Sequence, residues 1–323
     1  MGDASIRLGT RGSRLALWQA HHVAERLRAA WPDLQVTIVS IQTTGDRVAD
    51  VPLPRIGERG LFTQDIEDGL RERMIDAAVH SLKDLPTSAA PGVTVGAVVA
   101  RDDPREALVT GSGLPLERLA QGARVGTSSL RRRAQLLSLR PDLGVTDIRG
   151  NVPTRIAKVT SGEYDAVLLA HAGLIRLGLT AQVAQIFDDD VVVPAPGQGA
   201  LAVQARADDD GVLSRLSAID DGPTRLATLS ERAVLAALRG GCQAPLGALA
   251  KWHSPGHLRL SAIVAAVDRP TVLRATDHGV VETEAQAIAL GEAVADALCK
   301  LCAGAVLKAA RDWVAAADAG DAA

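Results

Sequence analysis

Arg124-Val-Gly-Thr-Ser-Ser-Leu-Arg-Arg-Arg133, Val145-Thr-Asp-Ile-Arg-Gly-Asn151 and Ala166-Val-Leu-Leu-Ala-His-Ala-Gly173 follow one another in the chain and share a pattern. In each, a short apolar run gives way to a turn of small or polar residues and then to a helix-forming segment. The repetition predicts strands near 124–126, 145–148 and 166–170, each followed by a helix, which is the wiring of an α/β layer with parallel strands.

Working outward, the same alternation extends to the N-terminus. Strands are expected at 6–9 and 36–41, with a helix at 14–30 that Ser13 caps and in which Ala16, Ala20, Val23 and Leu27 recur at helical spacing. Thr63 is expected to cap a helix to about residue 74, followed by a buried strand at 76–80, a strand-end loop at 81–86 and a strand at 92–100. Residues 43–60, rich in Gly, Pro and charge, read either as a lid over a site or as a surface loop. Further on, Pro194 and Pro196 lead into an alternating strand at 201–206. The motif Gly197-Gln-Gly199-Ala-Leu-Ala202 fits a dinucleotide fingerprint only if a helix starts there, and the alternation argues against that. Asp208–Asp210 and Asp220-Asp221-Gly222-Pro223 mark a boundary. Beyond it come a helix at 224–238 that Gly240 and Gly241 are expected to terminate, strands at 258–265 and 272–275, a long helix at 284–310 and a frayed tail.

At 323 residues the chain exceeds one ordinary core, and its seven aromatic residues leave a core of Ala, Val, Leu and Ile. So few aromatics disfavour a base-stacking platform, and a net charge of −3 offers no field for a polyanion, so no nucleic-acid partner is expected. Without a long apolar run or a signal-like N-terminus the chain is expected to be cytoplasmic, off the membrane and free of disulfides. Cys299 and Cys302 have redox or metal spacing but read as two small residues on a helix face, and no metal site is expected.

The 35 basic residues divide into 30 Arg and 5 Lys, and the arginines gather where strands end. Arg11 follows the first strand, Arg131 and Arg132 open the helix after Ser129, Arg149 and Arg155 flank Gly150-Asn151, and Arg176 follows the turn at Ala170. Between Arg124 and Arg155, seven Arg stand against Asp142 and Asp147. In open α/β sheets ligands bind beyond the carboxyl ends of the strands, and Arg forks clasp carboxylate or phosphate in bidentate fashion. The expected ligand therefore carries several such groups. Asp84, in a strand-end loop beside Lys83, reads as a proton shuttle or cation stabiliser or as a loop-capping acid. Cys242, after Gly240-Gly241, reads as a nucleophile or attachment point or as a packed thiol.

Taken together, Arg7-Leu-Gly-Thr-Arg-Gly-Ser13, Thr43-Thr-Gly-Asp46, Gly60-Leu-Phe62, Ala78-Val-His-Ser-Leu-Lys-Asp-Leu-Pro86, Gly126-Thr-Ser-Ser-Leu-Arg-Arg132, Ile148-Arg-Gly-Asn151, Pro194-Ala-Pro-Gly-Gln-Gly-Ala200 and Gly240-Gly-Cys-Gln243 resemble, in order, the porphobilinogen deaminase (hydroxymethylbilane synthase) family. The resemblance implies an enzyme that joins four porphobilinogen units with loss of ammonia on a dipyrromethane cofactor bound through a thioether to Cys242, then releases linear hydroxymethylbilane. It implies Asp84 as the catalytic carboxylate. Arg11, Ser13, Lys83, Ser129, Arg131, Arg132, Arg149, Arg155 and Arg176 would bind carboxylates of cofactor or growing polypyrrole chain. Gln19, Phe62, Thr127, Ser128, Gly150, Asn151, Ala170, Gln198 and Gly199 would line the cleft.

The fold it implies has two doubly wound α/β domains of the type II periplasmic-binding-protein kind plus a small C-terminal α+β domain, in a monomer. The boundaries are 1–100 with 198–218, 101–197, and 219–323. Arg55, Arg59, Gln204-Ala205 and His171 depart from the family's common residues. A bilobal protein that binds or senses an anionic ligand without catalysis is the alternative from another class.

Overall fold

The computed structural model describes residues 5–43, 63–88, 90–241 and 244–320. In chain order the strands are β1 (Ser5–Arg11), β2 (Gln35–Ile41), β3 (Ala77–Ser81), β4 (Val93–Val99), β5 (Glu106–Thr110), β6 (Arg124–Gly126), β7 (Gly144–Thr146), β8 (Ala166–Ala170), β9 (Gln185–Ile186), β10 (Leu201–Arg206), β11 (Leu246–Ser254), β12 (His257–Ala265) and β13 (Val272–Val280). The helices are α1 (Arg14–Ala30), α2 (Gln64–Arg71), α3 (Leu130–Leu139), α4 (Val152–Thr160), α5 (His171–Arg176), α6 (Asp210–Ser217), α7 (Gly222–Ala237), α8 (Glu284–Lys300) and α9 (Ala303–Gly320).

The described chain divides into two compact units. One contains residues 5–43, 63–88, 90–102 and 199–225 around a sheet ordered β2-β1-β3-β10-β4. Strands β1, β2 and β3 run parallel, while β10, arriving from a distant part of the chain, runs antiparallel to both β3 and β4. Being flanked on both edges, β10 is buried at all six positions. Its core-facing Leu201, Val203 and Ala205 join Ile6, Leu8, Val23, Leu27 and Val99 in one core. Ser13 caps α1 by accepting from the Ala16 N–H, as expected. Thr63 precedes α2 but its hydroxyl makes no capping bond and lies buried without a partner, a correction to its expected role.

The other unit contains residues 103–198, 226–241 and 244–320. Its first sheet is ordered β7-β6-β8-β5-β9. The expected strands β6, β7 and β8 are mutually parallel, whereas β5 and β9, which the turn-by-turn pattern did not reveal, follow with β5 antiparallel to β8 and β9 antiparallel to β5. Strand β7 sits at 144–146 rather than 145–148, because Ile148 is buried in the loop beyond it. The second sheet is the antiparallel set β11-β12-β13, with β11 also unforeseen, and its core includes Val234, Leu260, Val264, Val294 and Leu298. The fold class is thus two sheet-and-helix layers of α/β type plus a small C-terminal three-stranded α+β element.

Two corrections concern helix ends. At the end of α7 the left-handed residue is Arg239, with φ 49°, and not a glycine. The Gly240 N–H reaches back to the Leu235 carbonyl at 2.9 Å, the long-range bond of a Schellman stop. A Cβ at Gly240 would lie 2.7 Å from Leu235 Cδ1 and 3.1 Å from Ala244 Cβ, so a side chain there would make the Leu235 side chain move. The expected helix at 284–310 is two helices, broken at Leu301 and Cys302, where Cys302 takes φ 67°. Its neighbour Cys299 is exposed, as is Cys302, so neither is the packed helix-face residue expected.

Candidate functional site

In the first unit, β1 and β3 end side by side. The loop after β3 is a single tight turn, Leu82–Asp84, held from beneath. Leu82 and Leu85 are buried with Val98, Ala200 and Ala202, and the Leu82 N–H donates to the Ala200 carbonyl at 3.0 Å. With both flanks anchored, Lys83 is left half-buried and Asp84 exposed. Asp84 lines a small pocket of about 80 Å³ together with Arg11, Ser13, Gln19, His80 and Ser81. Gln19 is buried and its Nε2 donates to Ser81 Oγ at 2.9 Å, so it orients the wall of that pocket. Burial holds the His80 imidazole down to about 4, so the ring is neutral at pH 7.

In the second unit, the turns after β6 and β7 are stitched together. Ser128 Oγ donates to the Ile148 carbonyl at 2.9 Å and accepts from the Ile148 N–H at 3.2 Å. Thr127 Oγ1 accepts from the Ser129 N–H. Ser129 then caps α3, and Asn151 caps α4 by accepting from the Thr154 N–H at 3.0 Å. Gly150 takes φ 108°, and its carbonyl accepts from Arg155 Nε at 2.8 Å. These caps bring two helix N-termini and three arginines into one place. The Arg155 guanidinium is pushed down to about 10, first by burial and then by the positive charges of Arg132 and Arg149. Arg149 Nη2 is buried without a hydrogen-bond partner. A buried guanidinium N–H with no acceptor has the chemistry to receive an anionic oxygen.

The structure separates the predicted arginines into two kinds. Arg131 is buried, its Nη2 donating to Glu106 Oε1 at 2.6 Å and its Nη1 to the Val193 carbonyl at 2.8 Å. Arg132 meets the other Glu106 oxygen, 3.0 Å from Nε and 2.9 Å from Nη2. Gln198, fully buried, donates from Nε2 to Glu106 Oε1 at 3.0 Å and to the Pro104 carbonyl at 2.7 Å. Arg131 and Gln198 are therefore occupied inside the unit. Glu106, which the sequence reading missed, organises them. Its only signal was an acid at the head of an apolar strand, Glu106-Ala-Leu-Val-Thr110.

Arg176 is buried at the end of α5, whose N-terminus follows Ala170. His171 places Nδ1 2.9 Å from Asp103 Oδ2, and Gln204 Nε2 donates to Glu67 Oε1 at 3.1 Å, so both departures have internal partners. Gly199 belongs to the first unit, with φ 90°, and a Cβ there would lie 2.5 Å from the Asp102 carbonyl oxygen. Phe62, Cys242, Arg55, Arg59 and most of the expected lid at 43–60 lie outside the described residues. Among the described residues no cluster of three metal-ligating side chains occurs, and no helix is long and apolar enough to cross a membrane.

Residues 6–214 match the family model "Porphobilinogen deaminase, dipyromethane cofactor binding domain", and residues 225–300 match the porphobilinogen deaminase C-terminal domain. The porphobilinogen deaminase of Desulforudis audaxviator is 47% identical over 306 residues, 95% of this chain and 98% of that one. That of Roseiflexus sp. strain RS-1 is 48% identical over 295 residues, 91% and 95% of the two chains. Among solved structures, the methionine-binding protein MetQ aligns at a TM-score of 0.43 with 13% identity, covering 68% of this chain and 92% of that one. With two family models in sequence order and relatives near half identity over almost the full length, the chain belongs to the porphobilinogen deaminase family.

Proposed function

We propose that this chain joins four porphobilinogen molecules head to tail, with loss of one ammonia at each addition, on a covalent dipyrromethane primer, and then releases linear hydroxymethylbilane by hydrolysis. Family membership supports the reaction, and the observation that carries the ligand assignment is the partnerless buried Arg149 Nη2 in the Arg132–Arg149–Arg155 cluster. An acetate or propionate arm supplies the acceptor that Arg149 Nη2 lacks, so these residues fit a pyrrole chain. When bound, the primer supplies the pyrrole carbon to which the substrate is joined.

In this reading Cys242 holds the primer by a thioether, and a C-terminal domain at 219–323 presents it. Arg149 and Arg155 clasp carboxylates at the N-termini of α3 and α4. Arg11, Ser13 and Lys83 do so around the first pocket, and Arg176 adds charge at α5. Asp84 accepts hydrogen bonds from pyrrole N–H groups and stabilises the positive charge that develops as ammonia leaves, since a fixed carboxylate needs no reorganisation when charge appears. Gln19, held on Ser81, keeps that pocket's wall in register. The enzyme works as a cytoplasmic monomer.

Incubation of the purified protein with porphobilinogen tests this directly. Ammonia release with formation of a linear tetrapyrrole is expected, and Asp84→Ala is expected to lose at least 100-fold in turnover while retaining the primer. A protein that binds porphobilinogen without consuming it would favour the sensing alternative.

A further inference from the structure

We infer that Cys299 and Cys302 form a redox-active dithiol, closing to an intramolecular disulfide on exposure to a low-molecular-weight disulfide and reopening with excess thiol. Both cysteines are free and exposed, whereas an inert structural cysteine is ordinarily buried. They stand on one turn, with the Cys302 N–H donating to the Cys299 carbonyl at 2.9 Å. A turn closed by that bond brings the two α-carbons within the span a disulfide bridges.

The backbone there is also free to adjust. Helix α8 ends at Lys300 and α9 begins at Ala303, so the pair straddles the break. Cys302 already sits at φ 67°, outside helical geometry, so joining the sulfurs does not require a bend within a continuous helix. A pair inside a continuous helix lacks that freedom.

The chemistry balances with oxidised glutathione as oxidant. One cysteine thiolate attacks a sulfur of the small disulfide, breaking its S–S bond and releasing one glutathione. The second cysteine thiolate then attacks the mixed disulfide, forming the Cys299–Cys302 bond and releasing the second glutathione. The protein gives up two electrons and two protons, and both end on the two glutathione thiols.

Lys300 lies between the cysteines and supplies the test. The full-length protein is equilibrated with excess oxidised glutathione, its remaining thiols are alkylated, and it is digested with trypsin without reductant. The expected result is that peptides 275–300 and 301–308 stay joined, or appear as uncut 275–308 lighter by two hydrogens, and become two free thiols after reduction. Cys299→Ser and Cys302→Ser are expected to stop at the mixed disulfide. Glutathione retained on both cysteines of the unmutated protein, or both cysteines still alkylated in full, would overturn the inference. The readout is mass and owes nothing to turnover, so it stands apart from the proposed reaction.

Discussion

Arg131 and Glu106 meet at 2.6 Å with neither side chain more than 5% exposed, and the same carboxylate bonds Arg132 on its other oxygen. One buried acid thus compensates two buried cations. Removing one partner of such a set leaves a charge in low dielectric with nothing to offset it. Glu106→Gln is expected to cost about 3–5 kcal/mol in chemical denaturation. A cost below about 1 kcal/mol would show that the arginines find other partners or water.

The two kinds of arginine predict two kinds of defect. Arg149 offers a donor with no internal acceptor, so Arg149→Gln should leave the fold intact and weaken what binds there. Losing one charge-assisted hydrogen bond corresponds to a fall in kcat/KM of roughly 10-fold to 100-fold. Arg131, already engaged by Glu106 and Val193, should show its loss first as reduced denaturation midpoint. Steady-state kinetics and urea curves on both variants separate the cases, and equal kinetic losses with unchanged stability would refute the distinction.

His80 sets a pH dependence. Its folded value, about 4, lies below the ordinary 6.5, so between these values the unfolded chain binds a proton that the folded chain refuses. That contribution to stability is fully present above pH 6.5, falls as pH drops towards 4, and amounts to roughly 3 kcal/mol at most. His80→Leu should flatten that part of the profile relative to the unmutated protein. Parallel profiles for the two proteins from pH 7 to pH 4.5 would exclude His80 as the source.

Features whose determinants are local in the chain were legible in the sequence, and those set by distant partners were not. Ser13 and α1 were legible because a cap and a helical period sit within a few residues of each other. The strand β10 was legible from its alternation, but its antiparallel place between β3 and β4 was not, since that pairing spans more than a hundred residues. Strands β5 and β11 were missed because continuous apolar runs read equally well as buried helix. The stop at Arg239 and the break at Cys302 were hidden because both put a side-chain-bearing residue where glycine is the usual choice. In the site, arginine positions were legible and their division was not. Ser129, Arg131 and Gln198 carry the right chemistry for a ligand, and what could not be read was that each also has an internal task, Ser129 as the cap of α3 and the other two as partners of Glu106.

In the proposed reaction this chain builds pyrrole polymer on a primer attached to Cys242. Intact-protein mass measurement under denaturing conditions tests it most directly, because a thioether survives unfolding and a merely bound ligand does not. The expected result is a protein heavier than its sequence by two linked pyrrole units, with the increment absent from Cys242→Ala and further whole pyrrole units appearing on brief exposure to porphobilinogen. An unmodified mass in a folded protein that still forms hydroxymethylbilane, or an increment that persists in Cys242→Ala, would contradict it.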